Sequence, residues 1–332
     1  MDINFFLNVQ DSAITSSGIS SLRAHLNEVV NRNDVGFYSC LKSDLYVERT
    51  KKVYDGFAHK KKFFHIGIGG SSLGPEMLIS ALGSKGKSRD FVFINNIDPD
   101  EIFTQLALID DPEECLFYIV SKSGGTSETI AASIIIMNYL KKTFNISIEN
   151  FNKYIVICTD PENGDLRKLS REYKLESLEV PSNIGGRFSV LTPVGFLPGL
   201  FAGIDVKKLS ESAYDYGRAE LLESSNVIET ALHLHWLRNK KNISQTVIMP
   251  YSSRLKSFSA WFAQLWAESL GKKTNLDNEI VNAGFTPIQS YGATDQHSQM
   301  QLFVEGPIDK TLFLLSIKKF QNQISLRNDI EF

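Results

Sequence analysis

Cysteine is scarce in this sequence, and none of it is spaced to bind a metal. Only three cysteines occur among 332 residues, at positions 40, 115 and 158, and they lie in or near apolar runs. An odd number of such thiols is typical of free cysteines in a reducing compartment rather than of a disulfide framework. Without a CxxC motif or a Cys/His pairing, the sequence predicts no metal site.

The sequence also lacks long apolar runs and an excess of positive charge. No run approaches the roughly 20 apolar residues of a membrane helix, and the first residues do not have the basic-then-apolar order of a signal peptide. A net charge of −3 and a pI near 6.1 give no basic field that would hold a polyanion. We therefore expect a cytoplasmic protein that binds small molecules and neither nucleic acid nor a membrane.

Two nucleotide-binding signatures are missing as well. A dinucleotide fingerprint would need glycine at the last position of GxGxxG, but Ser72 stands there after Gly67 and Gly69. The chain has no GxxxxGK[ST] segment, which excludes the usual cradle for a nucleoside triphosphate. The sequence thus predicts no bound cofactor.

The pattern from residue 63 onward is a repeated unit of an apolar strand, a polar turn and a helix. The predicted strands span 63–70, 91–96, 115–120 and 154–160, and the predicted helices lie near 75–83, 127–142 and 162–173. Strands that are apolar on both faces and alternate with helices indicate a doubly wound parallel α/β sheet. Ligands of such sheets bind beyond the carboxyl ends of the strands.

A second α/β region is predicted after Pro198. We expect a strand at 245–252, a helix at 253–270 that ends at Gly271, and two further strands in QLFVEGP and TLFLLSI. With 42% hydrophobic and 22% charged residues, the chain is long enough for two such domains with full cores.

Two strand-to-helix turns are rich in glycine and hydroxyl groups. In HIGIGGSSLGPE, Gly70 lets the backbone approach a ligand and Ser71 offers its amide and hydroxyl; in SKSGGTSE, the hydroxyls of Ser121, Ser123 and Thr126 can converge on one anion. Helix N-termini favour anions, so the pair of turns predicts a phosphate site. Each turn alone has an ordinary alternative, since serine and threonine also cap helices and glycine also forms turns.

Three further residues are candidates for catalysis. Arg187 follows paired glycines and suits stabilisation of an oxyanion, and His297 lies in a turn beside Asp295. Glu268 lies among apolar residues at the end of a helix, where desolvation and the helix dipole are expected to raise its pKa toward that of a general base. The alternatives are a structural ion pair for the arginine, a solvated glutamate and a structural histidine.

Five motifs together resemble the glucose-6-phosphate isomerase (phosphoglucose isomerase) family, especially its shorter bacterial members. In order along the chain they are GIGGSSLGPE, SKSGGTSET, NIGGRFSVLTPVG, QLWAESLGK and TDQHSQMQLFVEGP, and the resemblance covers about residues 60 to 310. The third and fifth motifs are specific to that family, whereas the SKSGGTSE turn is shared with all sugar-isomerase (SIS) domains.

The resemblance implies an aldose–ketose isomerase of glycolysis and gluconeogenesis. Its substrates would be glucose 6-phosphate and fructose 6-phosphate, which interconvert through a cis-enediol without a cofactor, in a homodimer with sites near the subunit interface. It also implies an N-terminal helical segment at 1–40, a phosphate-binding SIS domain at 41–195 and a second SIS domain with the catalytic glutamate and histidine at 196–332.

The resemblance also assigns roles to single residues. Ser121, Ser123 and Thr126 would bind the phosphate, with Gly70 and Ser71 close to the sugar. Arg187 would stabilise the enediolate, Glu268 would transfer the proton, and His297 would act in ring opening or proton transfer.

One departure from the family leads to a further expectation. The family carries a catalytic lysine on a helix near its C-terminus, and Lys318 and Lys319 follow a strand directly and do not match it. We expect the chain to lack its last helices, so that the second domain is incomplete. Two alternative functions stay open: a non-catalytic SIS-domain regulator that binds phosphosugars, and a bifunctional phosphoglucose/phosphomannose isomerase.

Overall fold

The structure is a computed structural model that describes residues 15–84, 89–222, 226–320, 322 and 324. The predicted N-terminal helical segment therefore falls partly outside the described residues, since residues 1–14 are not among them. Within the described ranges, no helix is both long and apolar enough to cross a membrane.

Two lobes, each built on a parallel sheet, make up most of the described chain. We call residues 45–201 the first lobe and residues 245–315 the second lobe. The helices of the first lobe and of the segment before it are α1 (Ser16–Val30), α2 (Gly36–Ser39), α3 (Leu45–Phe57), α4 (Leu73–Leu82), α5 (Pro99–Leu106), α6 (Ser127–Thr143), α7 (Asp165–Glu172) and α8 (Pro193–Phe201). Its strands are β1 (Lys62–Ile66), β2 (Asp90–Ile94), β3 (Cys115–Ser121), β4 (Ile155–Thr159) and β5 (Glu176–Glu179).

The five strands of the first lobe form one parallel sheet in the order β2-β1-β3-β4-β5. β1 pairs directly with β3, with Ile66 opposite Ile119, so the turns that follow these two strands lie side by side at one edge. The chain reverses its direction of progression across the sheet at this pair, because β2 lies on one side of β1 and β3 on the other. Such a switch point is where α/β sheets bind ligands.

Both faces of this sheet are covered, which explains why its central strands are apolar throughout. Every residue of β3 is buried. On one face, Phe64 and Phe117 belong to a cluster with α5, α6 and α7, and on the other, Phe63 and Tyr118 belong to a cluster with α3 and α8. Side chains alternate between the two faces of a strand, so a run such as CLFYIV contributes to both cores.

Two longer helices connect the lobes. They are α9 (Val206–Leu222) and α10 (Asn226–Lys241). The second lobe contains β6 (Gln245–Pro250), α11 (Lys256–Leu270), β7 (Lys272–Thr274), β8 (Ile280–Ala283), β9 (Thr286–Gln289), α12 (Met300–Glu305) and β10 (Lys310–Leu315). Its parallel sheet has the order β10-β6-β9, and β7 and β8 form a separate antiparallel pair.

Helix α11 joins the second lobe to the first. Its Phe258 and Trp261 pack on an apolar cluster that α4 and α8 also line. Polar contacts reinforce this junction: Arg254 donates to the Gly83 carbonyl at 2.9 Å, and the hydroxyl of Ser80 donates to the Arg254 carbonyl at 3.0 Å. The end of α11 is thereby brought to the turn that follows β1, at the carboxyl end of the first sheet.

The predicted strands and helices of the first lobe are confirmed, together with β6, α11 and β10. The pattern did not reveal α5 or the short edge strand β5. The strand predicted in QLFVEGP is wrong, because residues 300–305 form α12, which ends where the Gly306 amide donates to the Leu302 carbonyl. A short apolar run does not distinguish a strand from a helix by periodicity alone. The division of the chain at residues 40 and 195 stays a prediction.

All three cysteines are free. Cys115 and Cys158 are buried in the first sheet, as the apolar runs predict, whereas Cys40 is only half-buried.

Candidate active site

The turn after β1 is a single 3₁₀ turn, Gly69–Ser71, that leads into α4. Gly69 has φ +55°, a conformation that glycine adopts without strain. The Ser71 amide donates to the Ile68 carbonyl at 3.1 Å and the Ser72 amide to the Gly69 carbonyl at 3.0 Å. The Ser71 amide is thus committed to the turn, which leaves the Ser71 hydroxyl as the donor that the sequence analysis assigned to a ligand.

The turn after β3 brings the three predicted hydroxyl residues together. The oxygens of Ser121 and Thr126 are 2.8 Å apart, and those of Ser123 and Thr126 are 3.5 Å apart. Thr126 precedes the first residue of α6, yet its side chain makes no capping hydrogen bond. The ordinary explanation of a threonine at this position, a helix cap, therefore does not account for Thr126.

A second segment holds the hydroxyl turn in place from behind. The Asp160 amide donates to the Lys122 carbonyl at 3.0 Å and the Leu166 amide to the Gly124 carbonyl at 2.9 Å. Gly124 has φ +66°, and a methyl group there would lie 2.8 Å from the Thr159 hydroxyl. The turn is therefore fixed by backbone contacts that do not use its own hydroxyls.

Arg187 extends from the 3₁₀ segment Gly186–Leu191 and contacts the end of α11. Its Nε donates to the Ser269 hydroxyl at 2.9 Å, and its Nη1 lies 3.4 Å from the Glu268 carboxylate. The guanidinium also stacks 4.4 Å from the centre of the Phe188 ring. About a quarter of the side chain is exposed (25%), so the cation faces an open site while its position is set by three contacts.

Glu268 lies in the last turn of α11 and is flanked by polar groups. Gln264, one helical turn earlier, donates to its carboxylate at 2.9 Å, and Lys272 donates to its backbone carbonyl at 2.8 Å. Half of the Glu268 side chain is exposed (50%). The desolvated environment expected from its apolar sequence neighbours is therefore wrong: Trp266 packs on Phe262 and Phe285 within the second lobe, while Glu268 stays half-exposed.

Glycine makes the close approach of the two loops possible. A methyl group on Gly70 would lie 2.4 Å from the Gly186 carbonyl carbon and 2.6 Å from the Arg187 amide nitrogen. The Ser189 hydroxyl also lies 3.4 Å from the Gly70 carbonyl. The backbone of the Gly69–Ser71 turn thus packs directly against the segment that carries Arg187.

The structure does not bring His297 into this group. His297 is exposed and follows the 3₁₀ turn Thr294–Gln296. Among the described contacts, none joins its imidazole to Arg187 or Glu268. The neighbouring Asp295 accepts from the Tyr291 amide and the Ser298 hydroxyl, both at 2.7 Å, and donation from Ser298 lowers the pKa of Asp295.

Gln264 and Ser269 are site residues that the sequence analysis did not single out. Gln264 stands four positions before Glu268, a spacing that places both side chains on one helical face and could have identified it. Ser269 carries no such signal, since its contact with Arg187 joins positions 82 residues apart. Within the described ranges, no group of three or more metal-ligating side chains occurs.

A cation and a carboxylate from two lobes lie beside the turn after β1, and the hydroxyl-rich turn follows the neighbouring strand β3. Comparison with known proteins identifies the family. The family model for phosphoglucose isomerase matches residues 43–330. The chain belongs to the phosphoglucose isomerase family. A curated relative, the glucose-6-phosphate isomerase of Carboxydothermus hydrogenoformans, is 36% identical over 326 residues.

Solved structures of similar proteins support the assignment of the fold. A hypothetical protein from Thermus thermophilus is similar with a TM-score of 0.80 and 34% identity over 89% of this chain. A glucose-6-phosphate isomerase from Chlamydia trachomatis is similar with a TM-score of 0.72 and 25% identity over 83% of this chain. The α/β architecture of two parallel sheets is therefore that of phosphoglucose isomerases.

The family members that it matches are longer than this chain. The match spans 93% of this chain and 69% of the Carboxydothermus relative, 69% of the Thermus structure and 54% of the Chlamydia structure.

Proposed function

We propose that this chain is an aldose–ketose isomerase that interconverts glucose 6-phosphate and fructose 6-phosphate through a cis-enediol. Membership in the phosphoglucose isomerase family supports the reaction. The observation that carries the proposal is the placement of a half-exposed carboxylate, Glu268, 3.4 Å from a guanidinium, Arg187, above the turn that follows β1. A phosphosugar sensor requires only the hydroxyl turn and has no need of this pair.

The phosphate is proposed to bind at the turn after β3. Ser121, Ser123 and Thr126 supply neutral donors there, and the start of α6 adds the positive end of a helix dipole. The turn after β1 lies beside it, with Gly70 and the Ser71 hydroxyl next to the sugar. Binding energy from the phosphate positions the distant carbons C1 and C2.

The proton transfer is assigned to Glu268. Moving the carbonyl from C1 to C2 requires that the C2 proton be removed and a proton be returned at C1, and one carboxylate can do both. Gln264 holds one carboxylate oxygen and thereby orients the other. The adjacent Arg187 stabilises the negative charge that develops on the enediolate oxygens.

Ring opening is assigned to His297 on the strength of the family pattern. His297 is exposed, so its imidazole is accessible to a bound sugar, and none of the described contacts joins it to Arg187 or Glu268. Replacement of His297 by Gln is expected to slow turnover of fructose 6-phosphate more than that of 5-deoxyfructose 6-phosphate, which has no C5 hydroxyl and cannot close the ring.

A solvent-exchange experiment tests the assignment of the base. The chain is incubated with fructose 6-phosphate in D₂O, and conversion is followed by a coupled assay while deuterium at C2 is followed by NMR. Glu268→Gln is expected to abolish both conversion and exchange while binding of the phosphosugar is retained. Glu279→Gln, at an exposed residue in the connection between β7 and β8, is the matched control and is expected to behave as the parent chain.

The outcomes of this experiment separate the candidate functions. Binding without conversion by the parent chain would favour the phosphosugar sensor, and conversion of mannose 6-phosphate at a comparable rate would favour the bifunctional isomerase. Exchange that persists in Glu268→Gln would show that another group is the base.

We also propose that the chain acts as a homodimer in the cytoplasm and that residues 41–195 and 196–332 are its two SIS domains. Large exposed apolar side chains in the second lobe support self-association; they are Leu276, Ile280, Leu302, Val304 and Ile308. Light scattering after gel filtration checks the oligomeric state, and a monomer at micromolar concentration would contradict this part of the proposal.

A further inference from the structure

We propose that His65 is a positioning residue: it fixes the position of the Gly69–Ser71 turn and, through this turn, the position of Arg187. This inference rests on the proposed function, because it assigns His65 to the isomerase reaction. His65 is the next-to-last residue of β1, is 0% exposed, and touches neither the sugar nor the reacting atoms in the proposed site.

A hydrogen bond from His65 replaces a backbone hydrogen bond that cannot form at the start of α4. The Nε2 of His65 lies 2.6 Å from the Ser71 carbonyl oxygen. In a regular helix that carbonyl would accept from the amide four residues on, but residue 75 is proline, which has no amide hydrogen. The imidazole therefore replaces the missing donor, which fixes the tautomer: Nε2 carries the hydrogen.

The surroundings of the ring hold it in this orientation. Phe93 and Tyr118 pack against it with ring centres 5.2 and 5.5 Å away, and Phe63 lies 6.3 Å away. Nδ1 is buried and has no hydrogen-bond partner, so the second nitrogen contributes nothing to the structure. A residue chosen for packing alone would not place an unsatisfied nitrogen in a buried sheet, since such a group costs free energy.

The position of the Ser71 carbonyl is transmitted to Arg187 by direct contact. Gly70 packs on the Gly186 backbone with no room for a methyl group, as described above. Any shift of the turn therefore displaces the segment that carries Arg187, the group that stabilises the enediolate. The hydroxyl turn after β3 binds the phosphate and is held by residues 160–166, so it is expected to stay in place.

The test uses two polar variants that differ in reach. In His65→Gln the amide nitrogen can occupy the position of Nε2 and donate to the Ser71 carbonyl, whereas the shorter side chain of His65→Asn cannot reach it. We expect His65→Asn to lower kcat about tenfold with KM changed less than about threefold, and His65→Gln to keep kcat within about threefold of the parent chain. His233→Asn, at a buried histidine in α10, is the control and is expected to leave kcat unchanged.

Several outcomes would overturn the proposal. Equal kcat for both His65 variants and the parent chain would do so, as would a loss that appears only in KM or a loss in His65→Gln as large as that in His65→Asn. If His65→Asn unfolds, the nitrogen-15 measurement described below decides, because a ring protonated at Nδ1 could not donate to the Ser71 carbonyl as the proposal requires.

A measurement that does not depend on turnover separates this proposal from the proposed function. Nitrogen-15 chemical shifts of the imidazole are expected to show a neutral ring protonated at Nε2 at pH 6. A ring protonated at Nδ1 would contradict the role of His65 even in an active enzyme. The parent chain could also show the Nε2–H tautomer but neither convert nor bind phosphosugars. That result would contradict the proposed function and the catalytic role of His65, and it would support only the hydrogen bond from His65 to the turn.

Discussion

Arg187 makes its contacts with the second lobe through different nitrogens, and this division explains why arginine is needed. Nε is bound to Ser269, while Nη1 faces Glu268 and the open site. A lysine ammonium has no second nitrogen, so it could keep only one of these contacts.

We therefore expect Arg187→Lys to lower kcat by about 10²- to 10³-fold, because one preorganised group that stabilises an oxyanion is worth roughly that factor. KM is expected to change little, since the proposed phosphate site is the turn after β3, which does not include Arg187. Steady-state kinetics measures both quantities. Arg254→Lys, at the lobe junction, controls for a general effect of replacing arginine by lysine. A fall in kcat of the same size in Arg254→Lys would contradict the assignment.

The contact between Gly70 and Gly186 makes a second prediction at this scale. Gly70→Ala places a methyl group within 2.4 to 2.6 Å of the Gly186–Arg187 backbone, so the two loops must separate. We expect activity to fall about tenfold or more, as small misplacements near reacting groups do. Gly56→Ala in α3 meets nothing within 4 Å and is expected to retain activity and stability.

His65 gives the chain a pH-dependent stability with a defined direction. Burial lowers the pKa of His65 from its ordinary value of 6.5 to about 4. Between these values the unfolded chain binds a proton that the folded chain excludes, so the free energy of unfolding falls as pH drops from 6.5 toward 4, by about 3 kcal/mol from this group. Urea unfolding of the parent chain and of His65→Gln checks this, and equal pH slopes for the two would contradict it.

Residues that the structure brings together could be singled out from the sequence where a local motif contains them, and their roles stay predictions. Arg187, Glu268 and the hydroxyl residues come from short segments whose spacing can be read directly. The Arg187–Ser269 contact and the environment of Glu268 could not be read in this way, because they depend on how α11 packs on the first lobe. The role of His65 was missed because its partner, Ser71, is identified only by the missing amide of Pro75.

At the scale of elements, the hydroxyl turn makes its own prediction. The double variant Ser121→Ala with Thr126→Val removes the two hydroxyl oxygens that lie 2.8 Å apart. We expect phosphosugar binding to weaken by about 2 to 4 kcal/mol, since a hydrogen bond to a charged group contributes about 1.5 to 3. Isothermal titration measures the affinity.

Ser133→Ala provides the control for this turn. Ser133 lies on the same helix, α6, is buried, and donates to the Thr129 carbonyl at 2.6 Å. Its replacement is expected to affect stability and leave affinity for the phosphosugar unchanged. Unchanged affinity in the double variant would remove the turn from the proposed site.

Element prediction succeeded where burial is symmetric and failed where it is not. β3 and β4 are buried on both faces, so an apolar run marks them fully. β5 is a polar edge strand of four residues, and α12 exposes Leu302 and Val304. The pattern of apolar residues therefore identifies neither the strand nor the helix. Partial burial gives no periodic pattern in such short segments.

The two lobes of the whole molecule differ in how deeply their sheets are buried. Each residue from 115 to 121 is at most 2% exposed, whereas β7 and β8 are exposed throughout and Leu314 in β10 is 58% exposed. Local opening is easiest where few apolar contacts are buried. The lobes should therefore open independently.

Hydrogen exchange followed by mass spectrometry checks this difference. We expect amides of β9 and β10 to exchange much faster than those of β3 and β4 in the isolated chain. Protection of the second lobe that rises with protein concentration would indicate that self-association covers its apolar surface. Uniform protection of both lobes at low concentration would contradict the prediction.

The overall organisation was predicted in outline only. Alternating strands and helices indicated two α/β regions, whereas the direct pairing of β1 with β3, which places the two turns side by side, is seen only in the structure. The seating of α11 against α4 and α8 was not predicted, because it depends on long-range contacts of Phe258 and Trp261 that leave no pattern in the local sequence.

Because Arg187 belongs to the first lobe and Glu268 with Ser269 to the second, the proposed reaction centre is shared across a junction between them. A small molecule wedged between the 185–187 loop and the end of α11 would part the cation from its carboxylate partner and leave the phosphate grip intact. Inhibitors of that kind would compete with substrate at its reacting carbons without using the phosphate site, and their design starts from the shape of the junction between the lobes rather than from the shape of a sugar.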